Sequence, residues 1–80
     1  MKQLFERLDR YGTGWILSFR VGVTNNIVMV LEYLDPATIK MHQEQFMLGR
    51  KDVQHVIDGD YGEAFHIMDT LHKRILAKIK

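Results

Sequence analysis

The sequence predicts an α+β domain with an N-terminal helix, a two-stranded antiparallel β-hairpin and a long antiparallel helical hairpin. Apolar residues recur at helical spacing near the N-terminus, and β-branched and aromatic residues concentrate between residues 14 and 34. Two long seams of apolar and aromatic residues at helical spacing then follow over residues 36–80. A chain of 80 residues has room for one domain, which we assign to residues 1–80.

The first helix is expected over residues 1–12. Leu4, Leu8 and Tyr11 are three or four residues apart and form one apolar stripe. Gly12 can adopt the left-handed conformation that commonly ends a helix. The helix should therefore end there, before a turn leads into the first strand.

The hairpin is expected over residues 14–34, with a three-residue loop at residues 24–26. This loop pairs Val23 with Ile27 and makes one hairpin face wholly apolar, whereas a two-residue loop would put Glu32 on that face. The predicted apolar face carries Trp15, Leu17, Phe19, Val21, Val23, Ile27, Met29, Leu31 and Tyr33. Arg20 and Glu32 then share the opposite face.

A long second helix is predicted to begin at Asp35-Pro36, which is a typical N-cap and first helical residue. Its seam residues are separated by three, four, three, four and three positions: Ile39, His42, Phe46, Gly49, Val53 and Val56. Because this spacing continues across Gly49, the sequence predicts one helix from Pro36 to Asp58.

The last helix is predicted to follow a tight turn at Gly59, with Asp60 and Glu63 as a capping box. Its seam repeats the same alternation: Phe65, Met68, His72, Ile75 and Ile79. The two seams would pack antiparallel and bring His42 near His72. A protein metal site normally needs three or four ligands, so no metal site is predicted from this pair.

The sequence offers little for catalysis. It has no cysteine, its single serine lies within a predicted strand, and no glycine-rich loop precedes a helix. We therefore expect no catalytic residues, no cofactor and no enzymatic activity. The N-terminal residues do not resemble a signal peptide, and no apolar run approaches the roughly 20 residues that span a bilayer. A cytoplasmic location without membrane attachment is expected.

Charge gives weak support for nucleic-acid binding. The net charge is +1, whereas a general nucleic-acid binder is usually clearly basic. Basic residues near the C-terminus nevertheless form a candidate contact with phosphates: Lys73, Arg74 and Lys78. A small nucleic-acid-binding regulator is therefore the alternative function.

Protein binding is the function that the sequence favours. The second hairpin face combines apolar side chains with one charge pair: Ile16, Arg20, Val28, Val30, Glu32 and Leu34. An apolar face that the domain cannot cover is typical of an interface. We expect this face to bind a second copy in a homodimer or a foreign protein, unless the N-terminal helix covers it. The predicted role is a small modulator, comparable in size with phage inhibitors of host defence such as anti-CRISPR proteins.

Overall fold

The computed structural model describes residues 2–23 and 26–79, so the predicted loop residues Thr24 and Asn25 lie outside it. The described elements are helix α1 (Lys2–Arg10), strands β1 (Trp15–Val21), β2 (Ile27–Asp35) and β3 (Lys40–Leu48), and helices α2 (Arg50–Ile57) and α3 (Gly62–Ile79). The strands form an antiparallel sheet in the order β1-β2-β3. The α+β class and the N-terminal helix are confirmed.

The predicted helix over residues 36–58 is wrong, because its first half is strand β3. β3 pairs with β2 from Asp35 opposite Lys40 to Ile27 opposite Leu48. Residues 40–48 alternate between the two sheet faces, and β2 supplies the hydrogen-bond partners that a helix would find locally. The sheet therefore has three strands rather than two, and no helical hairpin spans residues 36–80.

Asp35-Pro36 begins a turn instead of a helix. The Asp35 carboxylate accepts a hydrogen bond from the Ala37 N–H at 2.9 Å, and the Asp35 carbonyl accepts one from the Ile39 N–H at 2.8 Å. Ile39 has a φ of +56°, which is unusual for a β-branched residue. An aspartate before proline suits a helix N-cap and an Asx-type turn alike, and here the adjacent strands select the turn.

Helix α2 is separate from β3 and begins after Gly49. Gly49 has an extended backbone, with φ −73° and ψ 169°, and its N–H donates to the Asp52 carboxylate at 3.3 Å. The prediction of a helix running through Gly49 is therefore wrong. Gly59 lies just beyond the end of α2 with a φ of +85°, as expected for the turn there. The Asp60 carboxylate accepts a hydrogen bond from the N–H of Gly62, the first residue of α3.

The register between β1 and β2 keeps the predicted faces and shifts the pairing by two residues. Val21 lies opposite Ile27, so the predicted pairing of Val23 with Ile27 is wrong. Because side chains alternate with a period of two, a two-residue shift leaves each side chain on its predicted face. Trp15 and Leu17 therefore still share a face with Leu31, as the hydrophobic pattern required.

The core lies between one face of the sheet and helices α1 and α3. Its buried residues come from both helices and all three strands: Leu4, Leu8, Leu17, Met29, Leu31, Leu48, Ala64, Ile67, Met68, Leu71 and Ile75. The predicted α3 seam is rotated from the buried face, since Ile67 and Leu71 are buried while Ile79 is exposed. Helix α3 packs against a sheet, which offers a wider surface than the single helix predicted as its partner. A wider part of the circumference of α3 is therefore buried. Within the described residues, no helix has the length and apolar character required to cross a bilayer.

Candidate functional site

The face of the sheet that points away from α1 and α3 is the candidate site, and we call it the outer face. Strand alternation places on it Ile16, Ser18, Arg20, Val28, Val30, Glu32, Leu34, Met41, Gln43, Gln45 and Met47. All six predicted interface residues are among them. Because Leu4 and Leu8 of α1 pack into the core on the opposite side, α1 does not cover the outer face.

The exposed apolar side chains of the outer face lie at its two ends. Ile16, Leu34 and Met41 are 49%, 41% and 49% exposed near the β2–β3 turn, and we call these three residues the turn patch. Leu34 and Met41 are direct cross-strand neighbours. At the opposite end Val28 pairs with Met47, which is 60% exposed.

A polar band separates these two apolar ends. Glu32 lies opposite Gln43, and Gln45 lies opposite Val30. Sequence reasoning missed the β3 contribution to the outer face because it assigned residues 40–48 to a helix. The signal that reveals it is a period of two, Met-x-Gln-x-Gln-x-Met, over residues 41–47.

Val30 lies at the centre of the outer face and is completely buried within the chain. Arg20 and Glu32 form an ion pair of 3.6 Å, which confirms that they share this face. Their strand positions lie on either side of the Ser18–Val30 pair, so the ion pair runs diagonally across that pair. Val30 is therefore not accessible to a partner, contrary to the expectation from sequence.

A polar cluster away from the outer face links α1 to α3 through hydrogen bonds. The Arg7 guanidinium donates to both carboxylate oxygens of Asp69, at 3.2 and 2.5 Å, and the Tyr11 hydroxyl donates to the same carboxylate at 2.5 Å. Arg7 also lies 4.8 Å from the centre of the Phe65 ring. The hydrogen bonds from Arg7 lower the pKa of Asp69, and burial raises the pKa of Tyr11, so this hydroxyl remains a donor.

His72 packs within an aromatic cluster next to this network. Its ring stacks on the Tyr11 ring with centroids 3.9 Å apart, and the centroid of the tilted Trp15 ring lies 4.6 Å from that of His72. Burial lowers the pKa of His72, which favours the neutral imidazole.

His42 is on β3 opposite Tyr33, so the predicted pairing of two histidines across a helical hairpin is wrong. No group of three or more potential metal ligands occurs among the described histidine, aspartate and glutamate residues.

The three predicted phosphate-contacting residues do not form one open basic cluster. Lys73 and Arg74 are exposed on α3. The Lys78 ammonium instead reaches β3, where it lies 2.7 Å from a Glu44 carboxylate oxygen and donates to the Gln43 carbonyl at 3.0 Å. An ammonium paired in this way has less charge to offer to a phosphate.

Helix α2 borders an apolar cavity at the end of the sheet opposite to the turn patch. The cavity has a volume of about 230 Å³ and is lined by Phe19, Ile27, Leu48, Val53, Val56 and Ile57. α2 contains no buried residue, and Ile57 is 71% exposed. This end of the domain is loosely packed in comparison with the core beneath α1 and α3.

No protein-family model, curated protein or solved structure matches the chain. Its function is therefore inferred from the residues of the outer face.

Proposed function

We propose that this domain acts by binding another protein through the outer face of its sheet. The observation that carries the proposal is the turn patch, where three large apolar side chains remain between 41% and 49% exposed next to one another. No described helix covers them, although α1 and α3 both pack on the opposite face. Adjacent exposed apolar residues on a regular surface are typical of protein interfaces.

The proposed interface combines the turn patch with the neighbouring polar band. Fully burying one large aliphatic side chain contributes about 1.5–3 kcal/mol, so covering the exposed halves of three contributes on the order of 3 kcal/mol. This is too little for tight binding after the entropic cost of association. Glu32, Gln43 and Gln45 would supply the surrounding hydrogen bonds, as in the polar rim of known interfaces. The proposed role is a small modulator that occupies a surface of its target.

The test compares proteins captured from a source lysate by the tagged wild type and by two variants. Leu34→Lys combined with Met41→Lys places two charges in the turn patch, where both side chains already contact solvent. Ile57→Lys is the matched control, because Ile57 is a more exposed apolar residue outside the outer face.

We expect a protein that the wild type and the control capture equally and that the turn-patch variant loses. Circular dichroism must show that all three are folded. Equal capture by all three, or capture lost only by Ile57→Lys, would contradict the proposal.

A further inference from the structure

The edge of the sheet at β3 has backbone groups that no described strand pairs. The Leu34 N–H donates to the Gly14 carbonyl, and the Gly22 N–H donates to the Asn26 carbonyl, so even-numbered β2 positions bond toward β1. Antiparallel ladders alternate, so the odd-numbered β2 residues bond toward β3. Their β3 partners are even-numbered, and the N–H and C=O groups of odd-numbered β3 residues therefore point to the outside edge.

Contact from Lys78 supports this assignment independently. Its ammonium donates to the carbonyl of Gln43, which is one of the odd-numbered residues. The same residues place their side chains on the outer face: Met41, Gln43, Gln45 and Met47. Each of these four residues thus presents its backbone to the edge and its side chain to the outer face.

These four residues are symmetric about Glu44. In an antiparallel pair of two β3 strands with a twofold axis at Glu44, Met41 lies opposite Met47 of the partner subunit. Gln43 then lies opposite Gln45 of the partner subunit. Both are pairs whose backbone groups face the edge, so this register satisfies the ladder and matches like side chains. We propose that two copies of this chain associate through their β3 edges in this register.

The two Glu44 carboxylates at the twofold axis are compatible with the pairing because each is neutralised by Lys78 of its own chain. The two Glu44 residues would face each other, and unpaired like charges at such a position are destabilising. Each Glu44 carboxylate is already paired with Lys78 at 2.7 Å within its own chain. On association, the Gln45 N–H of the partner subunit takes the Gln43 carbonyl from Lys78, which keeps its contact with Glu44.

The pairing also joins the apolar ends of the two outer faces. Leu34 neighbours Met41 and Val28 neighbours Met47 within each chain. Across the axis, Met41 meets Met47 of the partner subunit, so an apolar row extends over four strands. Twofold symmetry produces this row twice on a six-stranded sheet. Self-association is measured without any target, so its failure and the failure of the proposed function are distinguishable.

The mass of the wild type and a single-cysteine scan test the proposal. Light scattering should show a shift from 9.4 kDa toward twice that mass as concentration rises. The chain has no native cysteine, so Glu44→Cys, Gln43→Cys and Gln45→Cys each add one thiol. In the proposed register the two copies of position 44 have Cα atoms about 4.5 Å apart, within disulfide range. Copies of position 43, or of position 45, lie diagonally at about 7–8 Å, which is too far.

We expect Glu44→Cys to form a covalent dimer at least about tenfold faster than the other two variants, following the steep dependence of disulfide formation on geometry. Gln54→Cys, on the exposed surface of α2, measures collisional cross-linking. A monomeric wild type at hundreds of micromolar would overturn the proposal. So would fastest cross-linking by Gln43→Cys or Gln45→Cys, or a rate for Glu44→Cys equal to that of Gln54→Cys.

Two further variants separate edge pairing from loss of folding. Gln45→Pro removes an N–H that points to the β3 edge and should weaken self-association at least about tenfold while circular dichroism shows a folded chain. Val21→Pro at the outside edge of β1 is its control and should leave association unchanged. Lys78→Ala should weaken the dimer, because it leaves two Glu44 carboxylates unpaired at the axis. A dimer strengthened by Lys78→Ala would contradict the charge compensation by Lys78, and with it the register that places the two Glu44 residues opposite each other.

Discussion

Removing the Asp69 carboxylate should destabilise the domain, because that carboxylate accepts all of the hydrogen bonds that join Arg7 and Tyr11 to α3. The Arg7 and Asp69 side chains are 31% and 37% exposed, so solvent screening limits their ion pair to about 1 kcal/mol. The bond from the Tyr11 hydroxyl contributes about 1 kcal/mol more. Asp69→Ala should therefore lower the free energy of unfolding by about 2 kcal/mol at pH 7.

The loss should depend on pH in a defined direction. The pKa of Asp69 is lowered in the folded state by its hydrogen bonds from Arg7, so its contribution is present above the ordinary aspartate pKa. That contribution is lost as the pH falls from about 4 through the folded-state pKa. Urea unfolding of both proteins from pH 7 to pH 2 measures the difference, with Asp9→Ala on the exposed surface of α1 as control. An unfolding free energy equal to that of the wild type at pH 7, or a difference that does not change with pH, would refute the reasoning.

Two other variants test the burial of Val30 and the surroundings of His72. Val30→Glu should lower the free energy of unfolding by about 3 kcal/mol or more in the monomer, because it buries a carboxylate without a partner. Gln45→Glu at the exposed cross-strand position is its control in urea unfolding, and equal stability of the two variants would contradict the burial of Val30. Because burial lowers the pKa of His72, protonation favours the unfolded chain, and wild-type stability should fall as the pH drops below about 6.5. His72→Phe should reduce that slope, and an unchanged slope in His72→Phe would show that His72 is not its source.

The sequence was informative wherever structure depends on local spacing. The stripe of Leu4 and Leu8 correctly predicted α1, and the alternation in β1 and β2 correctly sorted their side chains between the two faces. All six predicted interface residues lie on the outer face for the same reason. The spacing did not show that Val30 is buried, because its accessibility depends on the side chains that the neighbouring strands place around it.

The sequence by itself determined which side chains are apolar, their spacing along α1, β1 and β2, and the positions where the chain turns near residues 12 and 59. Only the tertiary structure decided that residues 40–48 are a strand. Met, Gln, Glu and Lys side chains are compatible with a helix, and Ile39, His42 and Phe46 fit its spacing. A helix satisfies its backbone hydrogen bonds within itself, whereas β3 satisfies them with β2 across a turn at Asp35. That choice also placed Met41, Gln43, Gln45 and Met47 on the outer face, because strand pairing sets which side chains share a surface.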